Sequence, residues 1–213
     1  LQEKEFAFGI SLSHPHIAET YSLEEIEDCG RCIVMEYVDG TTLAEWLTTN
    51  PSKAARQRVM MQLLDALEYI HSLQLVHHDL KSSNILITRN GQNVKLIDFG
   101  LSNTDSTSDK NNSTTDIQLF ANILTLLFPN RHRPIVRACQ QGTYANIAAL
   151  KQTFRRRQMW QKSIPYIVSA ICVIVCSILS FQHVSHKLRE QQMLKTVNYH
   201  VNQEISQLQY AAD

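Results

Sequence analysis

The run His77-His78-Asp79-Leu80-Lys81-Ser82-Ser83-Asn84, followed by Val94-Lys95-Leu96-Ile97-Asp98-Phe99-Gly100, decides how this 213-residue chain is read. Each segment sets an isolated aspartate at the edge of an apolar strand or helix. Between them, residues 84–88 (NILIT) and 93–98 (NVKLID) have the composition of two short strands, and Asn90-Gly91 in the turn Arg89–Gln92 supplies hairpin chemistry. A strand–turn–strand brings its ends together. Asp79 and Asp98, nineteen residues apart, are therefore expected to meet around one point with the Asn84 amide and the Lys81 ammonium. Phosphoryl transfer from a nucleotide needs that set. Metal-bound phosphates take hard oxygen ligands, which Asp98 and Asn84 supply. An acceptor hydroxyl needs a carboxylate to orient it and take its proton, which fits Asp79. Lys81 can neutralise charge on the transferring group. Either aspartate alone is an ordinary turn carboxylate; the two segments together carry the reading.

Working outward, Cys32–Val38 (CIVMEYV) reads as a strand, Asp39-Gly40 as a turn and Thr41–Thr48 as a short helix. Residues 3–13 read as the end of a helix, broken at His14-Pro15. Ala55, Val59, Leu63, Leu67 and Ile70 form one stripe of a helix over 54–73. Residues 102–115 are polar and read as an exposed loop; 116–128 return to an apolar helix, and 133–154 suggest two more short ones.

At this point the chain resembles the eukaryotic-type protein kinase family, through its HxDLKxxN and DFG patterns at their usual separation. The resemblance runs over about residues 5–154 and implies an α+β, protein-kinase-like fold, mostly the helical C-lobe with a remnant of the N-lobe. It implies ATP and Mg²⁺ as cofactors and a protein substrate. Met35-Glu36-Tyr37-Val38 resembles the gatekeeper and hinge, so Met35, Glu36 and Val38 are expected at the adenine, with backbone groups of Glu36 and Val38 bonding it. Leu86, two after Asn84, is the implied apolar floor beneath the base. Asp79 is implied as catalytic base with Lys81 as its phosphate partner, and Asn84 and Asp98 as metal ligands. Segment 11–17 (SLSHPHI) resembles the stretch after helix C. Glu5, nine before His14, stands where the family pairs a glutamate with the lysine of its third strand; a solvated helix carboxylate is the other reading. Asp116-Ile117 with Phe120 resembles the start of helix F, whose aspartate braces the catalytic loop by accepting backbone N–H bonds. His77 is read as packing against the DFG turn.

The departures are informative. No glycine-rich loop or strand-3 lysine is present, and the first residue is Leu1, so the chain is expected to be a fragment of a longer protein. His78 stands where many kinases have an arginine that pairs with an activation-loop phosphate, which argues against activation by loop phosphorylation. Lys81 resembles the Ser/Thr branch. No Ala-Pro-Glu segment lies between Asp98 and Asp116. This leaves two alternatives beside a serine/threonine-type protein kinase: a kinase-fold pseudoenzyme or scaffold, and a small-molecule kinase.

Composition bounds the rest. With 44% hydrophobic residues the chain can bury a core, and 20 basic against 20 acidic residues give no sign of a nucleic-acid partner. Five cysteines at irregular spacing make no disulfide framework, and the lone Cys29-Gly30-Arg31-Cys32 is weak as a metal site. No Asp, Glu, Lys or Arg occurs between Lys162 and Lys187, and Ile164–Phe181 is long enough to cross a hydrocarbon core of about 30 Å. A buried core helix is the alternative. Lys151, Arg155, Arg156, Arg157 and Lys162 on one side outweigh Lys187, Arg189 and Lys195 on the other, which puts the N-terminal portion in the cytoplasm. Trp160 and Tyr166 suit the headgroup layer, and the arginine cluster suits anionic lipid. Cys172 and Cys176 share a face, read as packing with lipidation as the alternative. Leu188, Leu194, Val197, Val201, Ile205 and Leu208 suggest an amphipathic tail capable of weak homodimerisation.

The expected organisation is an N-lobe remnant at 1–38 (end of helix C, strands 4–5 and hinge), a kinase C-lobe at 39–154, a basic juxtamembrane segment at 155–162, a transmembrane helix at 163–183 and the tail at 184–213. The expected protein is a single-pass membrane kinase, catalytic domain cytoplasmic, with its tail on the opposite side of the bilayer.

Overall fold

The computed structural model describes residues 2–27, 30–99 and 112–212. Cys29 of the CxxC, Gly100 and most of the polar stretch 102–115 lie outside the described residues. The chain divides into two compact units, Leu1–Arg155 and Arg156–Asp213.

The first unit opens with α1 (Gln2–Gly9), then β1 (Thr20–Ile26) and β2 (Gly30–Met35), paired antiparallel with Thr20 opposite Met35 and Ile26 opposite Gly30. A second antiparallel sheet follows, of β3 (Gly40–Thr42), β4 (Ile85–Thr88) and β5 (Val94–Leu96), in the order β3-β4-β5. Between β3 and β4 lie α2 (Leu43–Thr48), α3 (Lys53–Ser72) and a single 3₁₀ turn, Ser82–Asn84; α4 (Asn112–Leu127), α5 (Arg133–Gln140) and α6 (Ile147–Ala212) come after.

Local chemistry sets these boundaries. Thr42 caps α2 in a capping box, its hydroxyl accepting from the Glu45 N–H while the Glu45 carboxylate accepts from the Thr42 N–H. Ser52 caps α3 by accepting from the Ala55 N–H. Thr41 and Thr42, expected in the helix, belong to β3 because their backbones pair with Ile87 and Leu86. Gly40 permits that pairing: a Cβ there would meet the Ile87 carbonyl oxygen at 2.5 Å. The strand expected over 32–38 ends at Met35, leaving Glu36–Asp39 outside the ladder.

The core lies where the helices cover the β4–β5 hairpin. Every position of the expected α3 stripe (Ala55, Val59, Leu63, Leu67, Ile70) is buried, packed with Leu43, Ile85, Ile87, Leu96, Ile117 and Phe120. Lys151, counted in the sequence among the flanking charges of the apolar segment, is corrected by the structure. It is buried and forms ion pairs with Asp65 (2.5 Å) and Glu68 of α3. Its hydrogen bonds to the two carboxylates outweigh desolvation and raise its pKa, although desolvation is the largest single influence.

The second unit is helical throughout its described residues, from Arg156 to Ala212. Ile164, Ile171, Ile174, Ile178 and Phe181 are all exposed, and none of the most apolar window is buried. By length and composition alone, this helix can cross a membrane.

Candidate active site

The catalytic-loop segment is held from below by one buried carboxylate. Asp116, near the start of α4, is fully buried; it accepts the backbone N–H of His77 at 2.8 Å, that of His78 at 3.0 Å and the His71 ring at 2.8 Å. Burial alone would raise its pKa, but the hydrogen bonds from His71 and His77 prevail and hold it below the usual carboxylate value. This is the bracing role implied for Asp116. It lets His78 keep a left-handed backbone (φ +64°), a conformation disfavoured for a side-chain-bearing residue.

Above that brace Asp79, Lys81 and Asn84 converge by their side chains, and Asp98 joins them through its backbone carbonyl. The Asn84 amide donates to the Asp79 carboxylate at 3.0 Å, to the Asp79 carbonyl at 3.0 Å and to the Asp98 carbonyl at 3.5 Å. Lys81 Nζ lies 2.5 Å from the same Asp79 carboxylate. Asn84 is buried, whereas the Asp79 and Lys81 side chains are 42% and 55% exposed, open to an approaching hydroxyl. The Ile97 N–H donates to the Asn84 carbonyl at 3.0 Å, tying the segment before Asp98 to the 3₁₀ turn. Asp98 has φ +53°, backbone strain of the kind that marks functional positions.

An aromatic column runs beside these groups. The Phe99 ring lies 5.0 Å from His77 and 4.8 Å from Phe8 of α1. His77 therefore packs against Phe99, next to Asp98, as read from the sequence; burial lowers its pKa. Glu5 is half-buried and borders a small cavity with Ala18, Met35, Ile97, Asp98 and Phe99. Burial first, and the Asp98 charge second, raise its pKa.

The expected adenine residues lie at the end of β2, in the segment just after it, and in β4. Met35 ends β2 and opens onto the cavity that Asp98 also lines; Leu86 lies in β4, half-buried and opposite Lys95. Among the described residues, neither the Glu36 carbonyl nor the Val38 N–H has a hydrogen-bond partner. The Glu36 side chain, for which the sequence analysis had no role, pairs with Lys95 at 2.7 Å.

The donor set suits a magnesium nucleotide. Asp98, Asp79 and the Asn84 carbonyl oxygen are hard ligands of the type such an ion selects. The amide of Asn84 is spent on Asp79 and Asp98, which leaves that oxygen to accept from Ser83 at 3.3 Å with a second lone pair unused. Among the described residues, no cluster of histidine, cysteine and carboxylates forms a separate metal site.

Comparison with known proteins agrees with this geometry. A family model described as Protein kinase domain matches residues 2–121. Over 95 residues the chain is 44% identical to the serine/threonine-protein kinase PrkC of Bacillus subtilis, and over 103 residues 42% identical to the probable serine/threonine-protein kinase SCO3848 of Streptomyces coelicolor. These alignments cover 43% and 46% of this chain but only 14% and 15% of the two relatives. The crystal structure of the Mycobacterium tuberculosis PknI kinase domain has the same fold, with a TM-score of 0.59 at 18% identity, over 72% of this chain and 77% of that one. A loop braced from α4, a strained aspartate after β5 and a matched profile over more than half the chain have one explanation: the chain belongs to the protein kinase domain family.

Proposed function

We propose that this chain carries the catalytic floor of a membrane-tethered serine/threonine-type protein kinase, which transfers the γ-phosphate of ATP to a protein hydroxyl. The observation that carries the reading is the Asn84 amide, which joins the Asp79 carboxylate to the backbone of Asp98 within one hydrogen-bond network. In this reading Asp79 orients the acceptor hydroxyl and takes its proton. Lys81, 2.5 Å from that carboxylate, balances charge on the transferring phosphoryl group. Asn84 and Asp98 would hold Mg²⁺, which would offset the charge of the nucleotide phosphates. Met35, Glu36, Val38 and Leu86 enclose the adenine.

The apolar, fully exposed stretch from Ile164 to Phe181 supports a single transmembrane pass. With Lys151 paired in the first unit, Arg155, Arg156, Arg157 and Lys162 still precede the stretch against Lys187, Arg189 and Lys195 after it, a bias that supports a cytoplasmic kinase unit. The tail beyond the bilayer serves weak self-association.

The test is transfer of labelled phosphate by the full-length protein in membranes, offered protein substrates and a metabolite panel. Protein labelling that Asp98→Asn abolishes supports the reading. Labelling confined to a metabolite supports the small-molecule kinase, for which the missing Ala-Pro-Glu segment speaks. Nucleotide binding without any transfer makes the protein a scaffold.

A further inference from the structure

Lys95 joins three segments that the sequence leaves far apart. It sits in β5, three residues before Asp98 and opposite Leu86 of β4. Its ammonium donates to the Glu36 carboxylate at 2.7 Å and reaches the Ile17 carbonyl at 3.4 Å. The Glu36 carboxylate also accepts from the Glu19 N–H at 3.2 Å, while the Glu36 N–H donates to the Glu19 carbonyl at 2.7 Å. The Lys95 and Glu36 side chains are 18% and 27% exposed, so water screens this pair far less than a surface pair. Together with His14, Pro15, Ile17 and Glu19 they border a cavity of about 310 Å³.

Residues 36–39 have no sheet ladder of their own: Asp39 is tied at one end, its carbonyl accepting from the Arg89 N–H at 3.0 Å, and Glu36 at the other by Glu19 and Lys95. β5 is rigid by comparison: it pairs with β4, and on its other edge the Leu96 N–H donates to His16 and the Leu96 carbonyl accepts from Ala18. We propose that Lys95 is a positioning residue for adenine recognition: through Glu36 it locks the hinge to the hairpin that carries Leu86 and leads into Asp98. The inference rests on the proposed nucleotide site. Lys95 touches no nucleotide atom; it acts by holding the Glu36 and Val38 backbone at a set distance from Leu86. Loss of its charge leaves the Glu36 carboxylate with one neutral donor in a largely enclosed place, and the hinge relaxes toward water.

The experiment uses the full-length protein in detergent or membranes, titrated with adenosine and with MgATP, alongside phosphotransfer kinetics. Lys95→Met is expected to weaken adenosine and MgATP by the same factor, about tenfold, the size expected for one hydrogen bond to a charged group. KM for ATP rises by that factor at unchanged kcat, as uniform binding requires. Lys95→Arg restores both. Glu36→Gln, which keeps an acceptor for the Glu19 N–H, reproduces the loss and guards against a misfolded Lys95→Met. Asp98→Asn serves as the contrast, weakening MgATP while leaving adenosine unchanged. Native protein that binds adenosine, with Lys95→Met and Glu36→Gln binding it as tightly or more tightly, overturns the inference alone. A native protein that binds neither ligand overturns the nucleotide site and the inference with it.

Discussion

The two units solve opposite problems with similar fractions of apolar sequence. In the first, apolar side chains face inward and two buried charges find partners: Asp116 in three donors, Lys151 in two carboxylates. In the second, Ile164–Phe181 leaves its isoleucines, valines and Phe181 uncovered and offers only serines, cysteines and Tyr166 as polar interruptions. A chain in water hides such a surface, whereas a chain in lipid does not need to. The difference teaches that hydrophobicity alone does not specify a core. The polar residues mixed into it, and their partners, decide which solvent it is built for.

The strongest way to break this comparison is to truncate one large aromatic side chain in each unit. Phe120→Ala, at a fully buried site, is expected to cost about 3–5 kcal/mol of the first unit's stability. Phe181→Ala, 75% exposed, is expected to leave the same unfolding transition unmoved. Chemical denaturation of the detergent-solubilised protein reads both, and equal losses would erase the distinction drawn between the units.

The buried polar network gives the next effect. Asp116→Ala strands the N–H groups of His77 and His78 and the His71 ring in the interior, for a loss of about 3 kcal/mol and of the catalytic-loop geometry. The same denaturation curves, with nucleotide affinity as a second readout, check it; a variant as stable as the native protein would show that the brace carries no weight.

Acid sharpens the contrast further. His14, His16 and His77 all have pKa values lowered by burial. Below about 6.5 the unfolded chain takes up protons that the folded unit resists, so stability falls as pH drops through that value. Asp116 adds to the loss at lower pH: its depressed pKa gives stability that is present above the ordinary carboxylate value and disappears as pH falls through the folded one. Urea midpoints at pH 7.5 and 5.5 are expected to differ for the first unit, and the difference to shrink in His16→Gln. A flat profile would mean the histidines are not held neutral.

The smallest expected effect is local. Thr42→Ala removes the hydroxyl half of the α2 capping box, for about 1 kcal/mol, visible as a modest shift in the same transition.

Much of the site was legible because its parts are local. Asp79, Lys81 and Asn84 fall within six residues, and the β4–β5 hairpin returns the chain to them at Asp98, so register and turn chemistry fix the approach. The α3 stripe was legible for the same reason, from a repeat of 3.6 residues. Thr20–Ile26 carried a weaker signal: TYSLEEI places two glutamates in a strand that exists through its pairing with Gly30–Met35. Glu36 with Lys95, and Lys151 with Asp65 and Glu68, gave none, because charged residues in a sequence look alike until the fold sets their burial.

The sequence by itself determined the chemistry on offer and the one stretch long and apolar enough to cross a membrane. Tertiary structure alone decided which charges became buried partners and which stayed free, since that depends on distances between residues far apart in the chain. Lys95 and Glu36 stand fifty-nine positions apart and meet at 2.7 Å because two sheets and the segment at 16–18 close around them.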